Sequence, residues 1–355
     1  MTKTSFCDLI YTGLSFGEDR FFRDSNNMKL QNKHALFFIL ISLLVLGILF
    51  AFYYFLFIRK GVGRTGMKTA EGMIDFDGDK KTDIAIYRKG TGAWWVFLSS
   101  GGAPYSKGWG GESSDVPVPG DYDGDGKTDI AIYRGSTGAW LIIPSSGAAS
   151  YSKGWGGDPS DIPVPGDYDG DGKTDIAFYR RSAGSWWILL SSGGAPYSKG
   201  WGGDPSDIPV PGDYDGDGKD DIAIYRGSTG AWLVIPSSGA TSYSKGWGGD
   251  PSDIPVPGDY DGDGKTDIAF YRRSTGAWWI TPSSGGKAYG TGWGGPEFIP
   301  VPGDYDGDGK TDVAIYRPST GTWSITPSSG GKAYGKGSGG DPSDIPVTGN
   351  RGSIY

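Results

Sequence analysis

Polar and apolar positions repeat in a fixed order along most of the chain. A typical copy contains a short apolar segment ending in Gly-Asp-Tyr, an Asp-rich segment, an alternating segment such as IAIYR and a Trp-containing segment such as AWLII. Gly, Pro, Ser and Asp separate these segments, as expected for turns. The pattern predicts four short β-strands per copy, the third of which carries apolar residues on both faces. Such a sheet needs a neighbouring sheet on each side.

Six copies follow one another at nearly constant spacing. Their Asp-rich segments begin at Asp75, Asp121, Asp167, Asp213, Asp259 and Asp304. Successive starts are 46, 46, 46, 46 and 45 residues apart. A period of this size, with four strands per copy, is typical of β-propeller blades. The sequence therefore predicts an all-β fold, a six-bladed propeller of four-stranded blades.

The two ends of the repeat array indicate how the ring closes. After the sixth copy, DIPVTG matches the first strand of a further copy, but no Asp-rich segment follows it. The first copy, conversely, has a poor first strand. We therefore expect residues 345–349 to complete blade one, whereas a seven-bladed ring would need a copy that the chain does not contain. Alternation of two Trp residues with one in the third strand also favours an even number of blades.

A separate segment precedes the repeats. Residues 35–58 form an apolar run without a charged residue. As a helix this run crosses the hydrocarbon core, for which about 20 residues suffice. The sequence thus predicts a short N-terminal tail (1–34), a transmembrane helix (35–58), a linker (59–68) and the propeller (69–355). Met28 is an alternative start of translation.

The orientation of this segment stays open. Lys29 and Lys33 precede it, whereas Arg59, Lys60 and Arg64 follow it, so the distribution of positive charge gives no firm direction. A cleaved signal peptide is a second interpretation, although the apolar run is long for one. We expect a membrane-anchored protein whose propeller is extracellular or periplasmic.

Composition excludes several functions. The 33 basic and 41 acidic residues give a net charge of −8, which argues against a nucleic-acid partner bound through phosphates. Cys7 and His34 are the chain's single Cys and single His, and both precede the repeats. Disulfide scaffolds, Cys/His zinc sites and catalysis by Cys or His in the propeller are therefore excluded.

The Asp-rich segment has the spacing of a cation-binding loop. In the second copy, Asp121, Asp123, Asp125 and Asp129 occupy loop positions 1, 3, 5 and 9, and Lys127 offers a backbone carbonyl at position 7. Several hard oxygen ligands in one tight turn favour Ca²⁺. We predict one Ca²⁺ per copy, about six in all. The candidate ligands in the other copies are Asp75, Asp77, Asp79, Lys81 and Asp83; Asp167, Asp169, Asp171, Lys173 and Asp175; Asp213, Asp215, Asp217, Lys219 and Asp221; Asp259, Asp261, Asp263, Lys265 and Asp267; and Asp304, Asp306, Asp308, Lys310 and Asp312.

Other loop types fit less well. An EF-hand requires an acidic residue at position 12, where this chain has Ile132, and a dockerin-type loop requires a following helix. Repeats of the RTX type have a different period. Asp/Gly turns without an ion remain the alternative interpretation. The first loop departs from the pattern because Lys80 replaces the Gly of position 6, which puts its geometry in question.

These motifs resemble a known family. Asp-x-Asp-Gly-Asp-Gly-x-x-Asp followed by Ile-Ala-Ile-Tyr is similar to the FG-GAP/VCBS repeat, which builds propellers in integrin α-subunits, some fungal lectins and many bacterial surface proteins. The resemblance covers residues 69–349. It implies Ca²⁺ in the loop between the first and second strands, and a role in adhesion or ligand binding.

Two sets of Trp residues and one set of Arg residues recur. Third-strand Trp is expected to pack between blades, at Trp94, Trp140, Trp186, Trp232, Trp278 and Trp323. The Gly-flanked Trp of the GWGG motif is a candidate for stacking on a ligand, with packing at the blade edge as the alternative; the positions are Trp109, Trp155, Trp201, Trp247 and Trp293. The Arg that ends each second strand, such as Arg134, is expected on a solvated rim or paired with loop aspartates.

Three functions are compatible with the sequence. The first is a membrane-anchored, calcium-binding propeller outside the cell that mediates adhesion or binds a carbohydrate or protein. The second is a calcium-stabilised structural spacer or a subunit of a surface assembly. The third, an enzyme acting on polysaccharides, is disfavoured because no copy carries a distinctive set of polar residues, so we expect a non-enzyme.

Overall fold

A computed structural model describes residues 73–349, and all regular structure in this range is β. The strands form six four-stranded antiparallel sheets, here called blades one to six. This confirms the predicted six-bladed propeller. The predicted transmembrane helix at 35–58 lies outside the described residues. Within 73–349, no helix is long and apolar enough to cross a membrane.

The first three blades contain strands β1 to β11. They are β1 (Ile84–Arg88), β2 (Ala93–Phe97) and β3 (Tyr105–Gly108); β4 (Asp115–Pro117), β5 (Ile130–Arg134), β6 (Ala139–Ile143) and β7 (Tyr151–Gly154); and β8 (Asp161–Pro163), β9 (Ile176–Arg180), β10 (Ser185–Leu189) and β11 (Tyr197–Gly200).

The remaining blades contain β12 to β23, and the last strand, β24, belongs to blade one. They are β12 (Asp207–Pro209), β13 (Ile222–Arg226), β14 (Ala231–Ile235) and β15 (Tyr243–Gly246); β16 (Asp253–Pro255), β17 (Ile268–Arg272), β18 (Ala277–Thr281) and β19 (Tyr289–Gly292); β20 (Ile299–Pro300), β21 (Val313–Arg317), β22 (Thr322–Thr326) and β23 (Tyr334–Gly337); and β24 (Asp344–Val347).

The C-terminal strand closes the ring. Blade one has the order β24-β1-β2-β3, so the chain's last strand supplies the position that β4 occupies in blade two. Tyr87 of β1 pairs with Ile345 of β24, and Ala85 pairs with Val347. The prediction that the end of the chain completes blade one is confirmed.

Each blade runs from a buried edge to an exposed one. The first two strands are mostly buried, as in β4 and β5, whereas every residue of β7 is exposed. In the third strand β6, Trp140 and Ile142 are fully buried on one face, while Leu141 and Ile143 are half-buried on the other. Both faces are therefore used for packing, as the apolar pattern predicts.

The hydrophobic core consists of six clusters, each shared by two neighbouring blades. Between blades one and two, Trp94 and Val96 pack with Ile130 and Ile132. The cluster between blades six and one contains Trp323 of β22 and Ile86 of β1. The third-strand Trp residues are fully buried. Their predicted role in packing between blades is confirmed. Blades six and one share a hydrophobic cluster in the same way as the other neighbouring blades.

Candidate metal centres

The Asp-rich segment of each copy is a tight loop between the first and second strands, called the Asp loop here. In blade two, Asp121 organises this loop, since its Oδ1 accepts hydrogen bonds from the N–H groups of Gly124 (2.6 Å) and Asp125 (3.2 Å). Its Oδ2 accepts another from Gly126 (2.9 Å). Gly126 has φ +86°, a left-handed conformation that Gly adopts without steric cost. The turn is thus built by its first carboxylate.

The loop brings carboxylates from distant loop positions together. Asp121, Asp123 and Asp129 each place one oxygen so that the three atoms lie within 4.8 Å of one another. Positions 1, 3 and 9 form the same group in blades one, three and four, and positions 1, 3 and 5 form it in blade five. The spacing therefore identified the acids that meet. Ligation by Asp125 and by the carbonyl of Lys127 stays a prediction.

The carboxylate at position 9 is the most buried member. Asp129 is 0% exposed, and the equivalents in the other five loops are at most 1% exposed. Burial, together with the nearby charge of Asp123, raises the pKa of Asp129 to about 6. Its partners are N–H groups: Oδ2 accepts from Tyr122 and Oδ1 from Ser145. A nearby cation would stabilise the charged form of a buried acid in this environment.

A second segment belongs to each site, and the sequence analysis missed it. In the turn after the third strand, the hydroxyl of Ser145 donates to Asp125 (2.9 Å) and the hydroxyl of Ser146 donates to Asp123. The same pair of serines contacts the loop in every blade. The signal was a Ser-Ser pair in every copy, at a constant distance from the Asp loop.

Two loops depart from the common sequence without losing its geometry. Lys80 has φ +65°, and among the described residues it is the one non-Gly residue with positive φ. Its N–H donates to Asp75 Oδ2 (2.8 Å), as Gly126 does in blade two. In blade four, Asp220 replaces the usual Thr of position 8, and its Oδ2 accepts from the N–H of Asp167 (2.9 Å).

The other end of each blade holds a different set of charges. Arg134 donates through Nε to Asp115 Oδ1 (2.8 Å) and through Nη2 to Asp115 Oδ2 (3.1 Å). Asp115 belongs to the first strand and is fully buried. The same two-point contact occurs in blades one, three, four and five, while Arg317 of blade six binds Glu297. The predicted pairing of these Arg residues with loop aspartates is wrong. The Asp loop precedes the second strand and Arg is the last residue of that strand, so the two lie at opposite ends of the blade.

The GWGG Trp residues lie between neighbouring blades. Trp109 is half-buried, and its Nε1 donates to the carbonyl of Leu141 in the next blade (2.9 Å). The other four Trp residues make the equivalent contact at 3.1–3.5 Å. In blade six the position is Ser338, which is 7% exposed. These Trp residues therefore join blades, and their predicted contact with a ligand stays a prediction.

The donor set fits a hard divalent cation. Each loop offers several carboxylate oxygens and backbone carbonyls, with no thiol or imidazole, and Ca²⁺ prefers such ligands. The position-9 carboxylates have no Lys or Arg partner in an ion pair within the described part of the chain. Asp75, Asp77, Asp79 and Asp83, and their counterparts, are the side chains that would hold the ion.

Fold and loops together define the class: a six-bladed β-propeller with an Asp loop in each blade. The chain belongs to the family of FG-GAP-like repeats, whose model matches residues 75–132, 121–178, 167–224 and 259–315, more than half of the sequence. The predicted family is confirmed. No curated protein sequence matches the chain.

One solved structure supports the fold, and two others show a weaker similarity. A streptogramin B lyase is similar with a TM-score of 0.50 and 9% identity, over 76% of this chain and 83% of that one. An Agrocybe aegerita lectin that recognises non-reducing terminal N-acetylglucosamine has a TM-score of 0.48 and 16% identity, over 72% and 75%. A Staphylococcus aureus virginiamycin B lyase has a TM-score of 0.48 and 11% identity, over 77% and 86%. At these identities the likeness concerns the propeller fold alone.

Proposed function

We propose that this protein is a calcium-binding propeller, anchored in a membrane and displayed outside the cell or in the periplasm, that binds a carbohydrate or protein partner without catalysing a reaction. The observation that carries the calcium part is the group of three carboxylate oxygens within 4.8 Å, repeated from blade to blade. Such a group, with a buried member, is stabilised when a divalent cation neutralises it.

The proposed calcium binding also supports the proposed location of the propeller outside the cell or in the periplasm. Loops with few enclosing ligands bind Ca²⁺ weakly and fill where this ion is abundant, as it is outside cells. The apolar run at 35–58 supplies the proposed anchor. Partner binding is supported by the family and by the exposed aromatic residues of the outer strands, where Tyr151 is 43% exposed and Tyr289 44%.

The metal part is tested on the detergent-solubilised full chain. We expect about six calcium ions per chain by elemental analysis after removal of free metal. Chelation should then lower the melting temperature. A chain that carries no divalent ion and melts at the same temperature with and without chelator would contradict the proposal.

The partner part needs its own measurement. A glycan array probed with and without chelator should show calcium-dependent binding if the partner is a carbohydrate. Trp155→Ser reproduces the residue found in blade six and tests the GWGG positions, provided that its melting temperature is measured as well. Absence of binding to any glycan or surface protein, combined with calcium-dependent stability, favours the second function, a structural spacer.

A further inference from the structure

The Asp loops of neighbouring blades are hydrogen-bonded to each other. The backbone carbonyl of Asp121, loop position 1 in blade two, accepts a hydrogen bond from the N–H of Thr174, loop position 8 in blade three (2.7 Å). Equivalent bonds of 2.6–2.8 Å join every other pair of neighbours. They run from Thr128 to Asp75, Asp220 to Asp167, Thr266 to Asp213, Thr311 to Asp259 and Thr82 to Asp304. The six loops thus form one closed ring.

Side chains reinforce the same junctions. The stem of Lys173 lies over Gly124 of the preceding loop, so closely that a Cβ at Gly124 would come within 2.7 Å of Lys173 Cε. Lys173 Nζ donates to the carbonyl of Asp123 (3.0 Å). Lys packs on the preceding loop's Gly at each of the other five junctions as well. Each loop is therefore held on both sides by its neighbours.

These bonds connect parts of the candidate sites themselves. Asp121 is a candidate ligand in its own loop, and Thr174 lies between Lys173 and Asp175, candidate ligands in the next loop. A metal ion that fixes Asp121 therefore also fixes the backbone that presents two donors of the neighbouring site. Ordering of one loop should lower the entropic cost of ordering the next.

We infer that the six metal sites act as one coupled ring, in which occupation of one Asp loop raises the calcium affinity of the two loops beside it. This inference rests on the proposed calcium binding and adds its regulation. Coupling free energies between sites typically correspond to affinity changes of about 5- to 150-fold. For one backbone hydrogen bond and one Lys contact per junction, we expect about fivefold.

The test follows each loop separately in the metal-free full chain. Hydrogen exchange with mass spectrometry is measured during a calcium titration, because peptides that extend into the third strand distinguish the six loops by sequence. In the double variant Asp121→Asn, Asp123→Asn, site two loses two carboxylates but keeps its backbone carbonyl. Loops one and three should then require about fivefold more calcium for protection, while loop five, on the opposite side, changes less than twofold.

A milder variant addresses the junction directly. Lys173→Ala removes a bridging side chain without touching a carboxylate, and it should shift loops two and three more than loops five and six. The matched control is Lys153→Ala on the exposed strand β7, which should shift none.

The outcomes are distinct. If loop two of the double variant loses its response while loops one and three titrate as in the wild type, the sites are independent and the inference is wrong. A uniform shift of all loops, with a lower melting temperature, also contradicts it, because general destabilisation has no preference for neighbours. If no loop of the wild type responds to calcium, the proposed function fails, and the inference fails with it.

Discussion

The two ends of each blade handle negative charge in opposite ways. At one end, Asp115 is fully buried and its charge is met by two hydrogen bonds from Arg134. At the other end, Asp129 is equally buried, but its partners are uncharged N–H groups. The Arg end is complete within the chain, whereas no Lys or Arg of the described residues forms an ion pair with Asp129 at the loop end. The loop end is therefore the end at which the proposed cation would act.

Removal of calcium should have the largest effect, because it acts on all six loops and leaves the Arg end untouched. Each site that is well saturated contributes about 3 kcal/mol to the free energy of unfolding. We therefore expect chelation to lower the melting temperature by about 20 °C or more. Differential scanning calorimetry on the full chain, with magnesium in place of calcium as the control, provides the measurement.

Single substitutions at the two ends should separate the two kinds of carboxylate. Asp129→Asn removes a ligand, so the chain should bind one calcium ion fewer and lose part of its calcium-dependent stability. Asp115→Asn removes the buried charge that Arg134 contacts at two points and leaves Arg134 only its more exposed pair with Glu112. It should lower the free energy of unfolding by about 2–3 kcal/mol. That loss should be the same with calcium and with chelator.

The measurements are calcium stoichiometry and denaturant unfolding for both variants. If Asp115→Asn changed the calcium stoichiometry, or if Asp129→Asn changed stability equally with and without calcium, the distinction between the two ends would be lost.

The pH dependence of stability should also differ between the ends. In the metal-depleted chain, burial raises the pKa of Asp129 from 3.8 to about 6, so protonation favours the folded state. This stability is fully present below about pH 4 and is lost as the pH rises through about 6. The five equivalent aspartates have the same shift. The hydrogen bond that Arg134 donates to Asp115 raises the pKa of Arg134, which therefore stays charged throughout this range.

We therefore expect the metal-depleted chain to melt at a higher temperature at pH 5 than at pH 7.5. With excess calcium the order should reverse, because protons compete with the ion for the same carboxylates. Melting curves at both pH values, after metal removal on a chelating resin, test this. Equal stability of the metal-depleted chain at both values would contradict it.

Much of the fold could be predicted from the sequence because the same structural unit, a four-stranded blade with an Asp loop, is repeated six times. The 46-residue period, the Asp spacing and the extra first-strand segment at residues 345–349 were sufficient to predict the blades, the acids that meet and the closure of the ring. Two kinds of contact between segments of one blade were not predicted. Ser145 and Ser146 contact loop residues that lie 20 and 23 positions earlier in the chain. Pairing of Arg134 with the first strand depends on strand order, which the local sequence pattern does not specify.

Substitution of Lys80, which stands where the other loops have Gly, should have the smallest effect on stability. A left-handed conformation costs a non-Gly residue about 1 kcal/mol in the folded state, and Gly avoids this cost. Gly also gives the unfolded chain more conformational entropy, which offsets part of the gain in stability. Lys80→Gly should therefore increase the free energy of unfolding of the calcium-loaded chain by about 0.5–1 kcal/mol.

Lys80→Ala removes the same charge but keeps the strain, so the difference between the two variants isolates the backbone term. Urea unfolding resolves a change of this size, and the reverse substitution Gly126→Lys should destabilise blade two by a similar amount. If Gly and Ala at position 80 gave equal stability, the positive φ of Lys80 would carry no energetic cost, and blade one would tolerate its departure from the other five loops for another reason.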